Sequence, residues 1–335
     1  MTDKKHVALI YGGRGLEHSV SVAGAKNLMS LIDGERYDTL TVRISKNGEF
    51  SLCSPFCAEN DGISVHPICK DGIGGLTTDG GEFFPIDCAF PLLHGDFGED
   101  GTVQGLLSSF EIAFVGCDSR ASAVCLDKAV TKAVAERLGI PTVSWSLITE
   151  SSLPREQKFP LFVKPDCLGS SYGAGKAENE EQFDSLLRSA FALGDGRVLV
   201  EEFKSPLREL ECAFFEAQGE RVFTAAGEIL CDGFYSYERK YSQGGAKTSA
   251  RADISKADAL KIREYSEALC SFIGIRHLAR IDFFLSDGII YLNEVNTMPG
   301  MTDKSLYLRL LSESGISPKE AVNRLLADAV AEGAT

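Results

Sequence analysis

The sequence predicts a multi-domain α/β protein, and three observations support this class. With 335 residues, the chain is long enough for two or three domains that each have a hydrophobic core. An apolar strand at residues 6–11 precedes a glycine-rich turn and a helix at 20–32, which is typical of the start of a parallel sheet. Two apolar runs on either side of Ser286-Asp287-Gly288 predict an antiparallel hairpin further along the chain.

The composition restricts the classes of partner. A formal net charge of -14 disfavours nucleic acid and anionic membrane surfaces, because both require a cationic face. No run approaches the length of a membrane span, and the N-terminus lacks the pattern of a secretion signal. We therefore expect a cytoplasmic protein that acts on small molecules. The ten cysteines are scattered without a Cys-x-x-Cys motif, which predicts reduced, mostly buried thiols and neither a disulfide framework nor a zinc site.

The predicted elements divide the chain into three units. The first, residues 1–116, continues from the opening strand and helix into poorly periodic strands and loops at 45–85 and a buried strand at 86–93. The second unit, 117–203, begins with a helix at 127–138 that Gly139 and Pro141 terminate. The third unit, 204–335, contains the hairpin and ends with helices at 306–311 and 318–331.

The turn Gly12-Gly13-Arg14-Gly15 after the first strand has two interpretations. A dinucleotide-binding fingerprint requires Gly-x-Gly-x-x-Gly and an acidic residue about twenty positions later, and neither is convincing here. The favoured interpretation is a tight turn that lets a helix N-terminus face a ligand, where backbone N–H groups can bind a carboxylate or phosphate. A nucleotide-dependent oxidoreductase is thus only a remote alternative.

The predicted hairpin at 279–296 carries charges on one face. If the turn takes residues 286–288, Asp282 lies opposite Leu292 and diagonal to Glu294. Side chains of one parity share a face, which here carries Arg280, Asp282, Glu294 and Asn296. Carboxylate and amide oxygens are hard ligands that hold Mg²⁺ together with substrate phosphates. The pattern predicts a cation site; the alternative is a solvated hairpin face with an incidental charge pattern.

A second motif predicts phosphate binding. An apolar strand is predicted at 159–165, with Lys164 near its end. A Gly/Ser-rich loop at 169–176 follows it. Such a loop supplies backbone donors beside a point charge. In isolation, a glycine-rich hairpin with a lysine that reaches to solvent is the favoured interpretation. Lys128 near a helix start, and an apolar strand at 198–202 followed by Phe203 and Glu209, favour a site for adenosine and phosphates instead.

The motifs together resemble one family. In chain order they are Gly12-Gly13 with Glu17-His18, His94-Gly95 with 98–102, Asp127-Lys128, Lys164-Pro165 with 169–171, Arg280-Ile281-Asp282, and 294–297 with 299–302. This series, over nearly the full length, resembles the D-alanine-D-alanine ligases of the ATP-grasp superfamily and the related D-serine and D-lactate ligases of vancomycin resistance. The resemblance implies an ATP-grasp fold with an N-terminal Rossmann-like parallel-sheet domain.

The implied activity is a two-step ligation for peptidoglycan precursor synthesis. ATP phosphorylates the carboxylate of one D-alanine, and the amine of a second D-amino acid attacks the acyl phosphate. The resemblance also implies ATP as co-substrate, two Mg²⁺ ions that Mn²⁺ can replace, and a homodimer. The alternatives are a D-alanine-D-serine ligase and, more remotely, a non-catalytic ATP-binding relative.

The resemblance assigns roles by position. ATP would contact Lys128, Lys164, Ser171, Glu201, Phe203, Lys204, Glu209 and Lys240. The metal ions would be held by Asp282, Glu294 and Asn296, and the catalytic groups would be Arg280, Ser170, Tyr241 and the Gly300 N–H. The amino acids would contact Glu17, Ser19, His94, Ser305 and Leu306. The polar loop from Tyr235 to about Arg251 would close over the phosphates as a flap.

One position departs from the family pattern. The resemblance places a glutamate at position 19, where it would receive the ammonium of the first D-alanine and bond Ser170 and Tyr241; this chain has Ser19. A hydroxyl cannot replace a carboxylate beside an ammonium, and losing such a contact costs about 1.5 to 3 kcal/mol unless Glu17 compensates.

Tyr241 and the Ser305-Leu306 pair favour D-alanine as the second substrate.

Overall fold

The structure, a computed structural model, describes residues 4–53, 56, 61–152, 157–230 and 247–333. Three β-sheets with helices packed against them make up this part of the chain, so the predicted α/β class is confirmed. No helix among these residues is both long and apolar enough to span a bilayer.

The first sheet combines a parallel core with an antiparallel extension. Its strands are β1 (Lys5–Gly12), β2 (Tyr37–Ile44), β3 (Phe50–Leu52), β4 (Ile63–Lys70), β5 (Ile73–Thr78), β6 (Phe83–Pro85) and β7 (Cys88–Leu92), in the order β6-β5-β4-β3-β2-β1-β7. β1 pairs in parallel with β2 and β7, whereas β2 to β6 pair antiparallel. The predicted βα opening and the strands expected at 45–85 are therefore present.

The opening strand and helix follow from the sequence pattern. Residues 7–11 of β1 are each at most 2% exposed, as expected for a parallel strand covered on both faces. The next helix, α1 (His18–Leu31), buries Ser21, Gly24, Ala25 and Leu28, whose spacing places them on one helix face. The last helix of this unit is α2 (Thr102–Ser109).

The second sheet has four antiparallel strands. They are β8 (Trp145–Thr149), β9 (Leu161–Pro165), β10 (Gly175–Ala177) and β11 (Arg197–Glu202), in the order β10-β9-β11-β8. Two short helices, α3 (Ser119–Leu126) and α4 (Lys128–Arg137), precede the sheet, and α5 (Glu180–Leu193) packs its Phe183 and Leu187 into the sheet core. Asp127 caps α4 by accepting a hydrogen bond from the Val130 N–H.

The third sheet is formed by the C-terminal part of the chain. Its strands are β12 (Arg208–Ala217), β13 (Glu220–Phe223), β14 (Gly227–Leu230), β15 (Lys247–Ser249), β16 (Leu278–Ser286) and β17 (Ile289–Asn296), in the order β15-β14-β12-β16-β17 with β13 on β12. The helices are α6 (Lys256–Ile273), α7 (Leu306–Glu313) and α8 (Pro318–Gly333). Leu325 and Leu326 of α8 share one core with Phe90 of the first sheet and Phe215 of the third.

The β16–β17 hairpin corrects the predicted register. The turn uses two residues, Asp287 and Gly288, both with positive φ, so Ser286 pairs with Ile289. An Asp-Gly pair suits a two-residue turn of this kind, which is why the three-residue turn was wrong. A β-bulge at Asn293 then shifts the pairing: Phe283 faces Leu292, and Asp282 faces Glu294 directly. The two carboxylates are thus cross-strand partners.

The cysteines agree only in part with the prediction. Cys69, Cys88, Cys117, Cys125, Cys167, Cys212 and Cys270 are free thiols, and five of them are buried. Cys53 is disulfide-bonded, so the expectation of reduced thiols was wrong at this position. Disulfide formation depends on the distance and direction of two side chains, which scattered positions in a sequence do not reveal.

Candidate active site

A cavity with a volume of about 380 Å³ lies between the second and third sheets. Seven residues predicted to contact ATP line it, namely Lys128, Lys164, Ser171, Glu201, Phe203, Lys204 and Glu209. Ser170, Arg280, Asp282 and Glu294 also line it. The structure therefore brings the phosphate motif and the hairpin face, which lie far apart in the sequence, onto opposite walls of one cavity.

Two lysines flank one buried carboxylate on the second-sheet wall. Glu201 Oε2 lies 3.0 Å from Lys164 Nζ, and Glu201 Oε1 lies 2.7 Å from Lys132 Nζ. Burial raises the pKa of Glu201, but the two ammonium groups outweigh burial and hold this pKa below its ordinary value. Burial lowers the pKa of Lys132, and Glu201 only partly offsets that effect. Sequence reasoning missed Lys132, although it lies four residues after Lys128 on the same helix face.

Lys128 and Asn293 connect the two walls. Lys128 Nζ donates to Leu168 O over 2.7 Å and lies 3.6 Å from Glu294 Oε2. Lys164 Nζ donates to Asn293 Oδ1 over 3.0 Å. The β-bulge explains the second contact, because it directs an extra side chain of β17 into the cavity. Asn293 was not predicted, since a bulge leaves no regular signal in the spacing of residues.

Two carboxylates flank one guanidinium on the third-sheet wall. Arg280 donates to both oxygens of Asp282 over 2.8 Å, and its Nε lies 3.3 Å from Glu211 Oε2. Burial alone lowers the pKa of Arg280, but the carboxylates outweigh burial and raise the pKa above its usual value. Asn296 Nδ2 donates to Asp282 Oδ2 over 3.0 Å, which holds the three predicted hairpin side chains together.

The donor set on this wall fits magnesium. Asp282 and Glu294 provide carboxylate oxygens, and Asn296 provides an amide oxygen, all hard ligands suited to Mg²⁺.

The other end of the cavity is more apolar. Lys176 Nζ lies 4.6 Å from the ring centroid of Phe203, a cation–π distance, and Lys204 pairs with Glu202 over 2.7 Å. Glu209 lies on β12 opposite Phe284. An aromatic ring beside carboxylates and strand backbone suits a purine and a ribose.

Glu17, and not residue 19, faces the phosphate loop. Ser170 Oγ donates a short hydrogen bond to Glu17 Oε1, across 153 residues of sequence. Ser19 is exposed on the first turn of α1. Ser170 thus has a carboxylate partner at position 17, the residue expected to compensate for Ser19, and the contact of Ser19 with substrate stays a prediction.

His94 and Glu99 join this edge to the loop that contains Gly300. His94 Nδ1 donates to Met298 O over 3.1 Å, and the buried Nε2 has no hydrogen-bond partner among the described residues. Glu99 accepts from the N–H groups of Gly95 (2.9 Å) and Met298 (3.1 Å). Burial raises the pKa of Glu99 to about 7 and lowers that of His94. Glu99 was part of a motif, but no role was predicted for it.

Ser305 and Leu306 mark the start of α7, where unpaired helix N–H groups favour a carboxylate. Ser305 Oγ accepts from the Thr302 N–H over 3.0 Å, which closes the loop after Gly300. Lys240 and Tyr241 lie outside the described residues, as does most of the expected flap; its described end, residues 247–251, includes β15 on the edge of the third sheet.

Comparisons with known proteins agree with this architecture. Residues 6–117 match the family model described as D-ala D-ala ligase N-terminus, and residues 134–327 match D-ala D-ala ligase C-terminus. The chain is 35% identical to D-alanine--D-alanine ligase A of Mesorhizobium japonicum, with 99% of each chain covered. It is 36% identical to the vancomycin/teicoplanin A-type resistance protein VanA of Enterococcus faecium, over 96% of this chain and 97% of VanA.

Solved structures give the same result. The D-alanine-D-alanine ligase of Coxiella burnetii superposes with a TM-score of 0.85 at 27% identity, over 99% of this chain and 96% of that one. The VanG D-Ala:D-Ser ligase of Enterococcus faecalis gives 0.84 at 27% identity, over 98% and 100%. The expected ATP-grasp fold with a Rossmann-like N-terminal domain is confirmed. The chain belongs to the D-alanine-D-alanine ligase family, whose members are ATP-dependent ligases.

Proposed function

We propose that this protein ligates two D-alanines to D-alanyl-D-alanine, through a D-alanyl phosphate, for peptidoglycan precursor synthesis. The observation that carries the proposal is the cavity in which Lys128 and Lys164 on one wall face Asp282 and Glu294 on the other. Lysine cations that face hard oxygen ligands across a cavity suit a nucleoside triphosphate with its metal ions. Family membership supplies the substrate class.

The proposed nucleotide site uses the full length of the cavity. Phe203, Lys204 and Glu209 frame adenine and ribose, and Glu201 fixes the position of Lys164. Lys128, Lys164 and Ser171, with Lys240, neutralise and orient the phosphates. Asp282, Glu294 and Asn296 would hold two Mg²⁺ ions, or Mn²⁺ in their place. When bound, the metal ions reduce the negative charge of the phosphates and so favour transfer of the terminal phosphoryl group.

The first D-alanine lies at the edge formed by Glu17, Ser170 and His94. Its ammonium pairs with Glu17, whose carboxylate is already held by Ser170. Its carboxylate oxygen attacks the terminal phosphorus of ATP, the bond from phosphorus to the bridging oxygen breaks, and ADP leaves. Ser170 and Tyr241 tie the flap to this edge, which keeps water away from the acyl phosphate.

The second step forms the peptide bond. The carboxylate of the second amino acid binds at Ser305 and Leu306, at the start of α7. Its unprotonated amine attacks the acyl carbon, and the tetrahedral oxyanion is stabilised by Arg280 and the Gly300 N–H. The carbon–oxygen bond to phosphate then breaks and phosphate leaves with the electron pair. The leaving phosphate accepts the proton that the attacking nitrogen loses, so the products are the amide and hydrogen phosphate.

Four further expectations belong to this proposal. The chain comprises units 1–116, 117–203 and 204–335, it forms a homodimer, it works in the cytoplasm, and its nucleotide is ATP. They rest on the family resemblance and the sequence pattern.

Phosphate release by the purified chain with Mg-ATP tests the proposal. D-Alanine alone should give stoichiometric phosphate and a dipeptide identifiable by mass spectrometry. The second candidate function is a D-alanine-D-serine ligase, which the similarity to VanG favours. A parallel reaction with D-serine added to limiting D-alanine tests it. If D-alanyl-D-serine exceeds D-alanyl-D-alanine among the products, the protein is a D-alanine-D-serine ligase. No turnover with D-alanine, D-serine or D-lactate in any pairing would overturn both.

A further inference from the structure

A second cavity, of about 250 Å³, lies on the first sheet and away from the candidate ATP cavity. It lies beneath α1 at the carboxyl ends of β1 and β2, the edge where open α/β sheets usually bind ligands. Its walls are Tyr11, His18, Val22, Lys26, Arg43, Lys46 and Phe56, and we call it the basic cavity.

The charges of the basic cavity have one sign. Four of the seven described residues that line it are basic, and none of these seven carries a carboxylate, although the chain carries a net charge of -14. Lys26 and Lys46 form no ion pair with any described residue. Arg43, only 5% exposed, is held in place by a bond from its Nη2 to Asp61 O of 3.2 Å. Basic side chains that surround one cavity favour an anion between them.

Tyr11 gives a second, independent observation. Its side chain is 1% exposed, and its hydroxyl has no hydrogen-bond partner in the described part of the chain. A buried donor without a partner is destabilising, so native proteins rarely keep one without a reason. Burial raises the pKa of Tyr11, which keeps the hydroxyl protonated and able to donate. An acceptor bound in the cavity would satisfy it.

We propose that the basic cavity binds a phosphate-type anion. Ammonium, guanidinium and hydroxyl donors suit a tetrahedral oxyanion with several acceptor oxygens, and the volume admits a phosphate group with a small substituent. The site is linked to the proposed first-substrate edge: His18 Nδ1 donates to Gly13 O over 2.7 Å, and Glu17 precedes His18. The phosphate source is either inorganic phosphate or a small phosphomonoester.

Calorimetric titration of the full chain tests this site without using ligase activity. Phosphate can also occupy the candidate ATP cavity, so the native chain and Lys164→Met are titrated in parallel. We expect saturable phosphate binding that survives Lys164→Met and weakens about tenfold in Lys46→Met, because a charge-assisted contact is lost. The matched control Lys319→Met removes an exposed lysine of α8 and should change affinity less than about twofold.

Tyr11→Phe separates binding from folding. This variant should weaken phosphate binding about fivefold, yet its melting temperature without phosphate should not fall, because the hydroxyl has no partner to lose. Glycerol 3-phosphate, titrated beside inorganic phosphate, distinguishes the two sources: tighter binding of either one supports the site and names its class.

Three results would overturn the inference. They are no saturable binding of either anion up to about 10 mM, loss of all binding in Lys164→Met, and unchanged affinity in both Lys46→Met and Tyr11→Phe.

Discussion

On the second-sheet wall of the candidate ATP cavity two lysines flank one carboxylate, whereas on the third-sheet wall two carboxylates flank one guanidinium. The side chains of Lys132, Glu201 and Lys164 are 0%, 3% and 9% exposed. Those of Glu211, Asp282 and Arg280 are 8%, 12% and 21% exposed. The charged side chains of the second-sheet wall are therefore more deeply buried than those of the third-sheet wall. Each of them depends more on its neighbours to compensate its charge.

This difference predicts that one wall contributes mainly to stability and the other mainly to turnover. A charge that is buried and paired inside the protein mainly affects folding, because its partner cannot turn to water. A charge that faces the cavity remains available to a ligand and affects chemistry more. Substitutions on the second-sheet wall should thus lower stability, and substitutions on the third-sheet wall should lower turnover. The predictions below run from the largest expected effect to the smallest.

Lys132→Met should give the largest loss of stability. Removing Lys132 leaves the buried Glu201 with only one of its two cations, Lys164, and breaking a buried ion pair costs about 3 to 5 kcal/mol. We expect that decrease in the free energy of unfolding, measured with denaturant at neutral pH. The control Lys5→Met breaks the exposed pair with Asp87, a contact of 2.8 Å, and should cost less than about 1 kcal/mol. Equal losses in both variants would remove the proposed distinction between buried and exposed pairs.

Arg280→Lys should act on turnover instead. Lysine keeps the charge but loses the two-pronged contact with Asp282 and one aimed donor. Removing an oxyanion donor typically lowers kcat by about 10² to 10³. We expect such a decrease, with KM for ATP changed only a few-fold. Arg208→Lys, which alters the equivalent contact with Glu228 on the same sheet, is the matched control and should retain kcat. A similar kcat for both variants argues against the role of Arg280.

Glu99 extends the comparison to a carboxyl outside both walls. Its folded pKa of about 7 lies above the ordinary value of 4.5, so the folded protein binds a proton more tightly than the unfolded chain does. Stability from this group is therefore present below pH 4.5 and is lost as pH rises to about 7, a change of about 3 kcal/mol.

The unfolding free energy of Glu99→Gln, compared with that of the native chain at pH 5 and pH 8, tests this sign. Glutamine does not titrate, so the stability difference between native and variant should shrink as pH rises. Glu49→Gln, at an exposed position, should show no such trend. A difference that grows with pH would show that the carboxyl is stabilised as its anion by the Gly95 and Met298 N–H groups.

Local sequence patterns predicted the parts of the site that regular strands carry. Lys164 at a strand end and the parity of Asp282, Glu294 and Asn296 follow from strand geometry. In the structure Lys164, Asp282 and Glu294 line one cavity, and Asn296 donates to Asp282. The parallel opening of the first sheet was predictable for the same reason.

The remaining parts depend on tertiary structure. The bond between Ser170 and Glu17 joins residues 153 positions apart, and no local spacing specifies it. Lys132 is fully buried only because Glu201, on a strand, is placed beside its helix. The bulge at Asn293 separates the pairing set by the two-residue turn from the pairing of Asp282 with Glu294, and no regular spacing in the sequence marks it.

Asn293→Ala should give the smallest effect and sharpens the comparison, because this side chain belongs to the third sheet but supports a lysine of the second. Lys164 keeps its contact with Glu201, so the loss of one acceptor should not unfold the protein. A hydrogen bond to a charged group contributes about 1.5 to 3 kcal/mol, and the retained ion pair places the loss at the lower end. We therefore expect KM for ATP to rise about tenfold with kcat within a few-fold.

The matched control for this variant is Asn179→Ala. Asn179 caps α5 by accepting from the Gln182 N–H over 3.0 Å, so its loss should lower stability by about 1 kcal/mol and leave KM for ATP unchanged. If Asn293→Ala behaves like Asn179→Ala, with lower stability and an unaltered KM, the bulge serves only the packing of the hairpin. A raised KM with unaltered stability means that the third sheet positions the lysine of the second, so that the two walls act on the nucleotide as one unit.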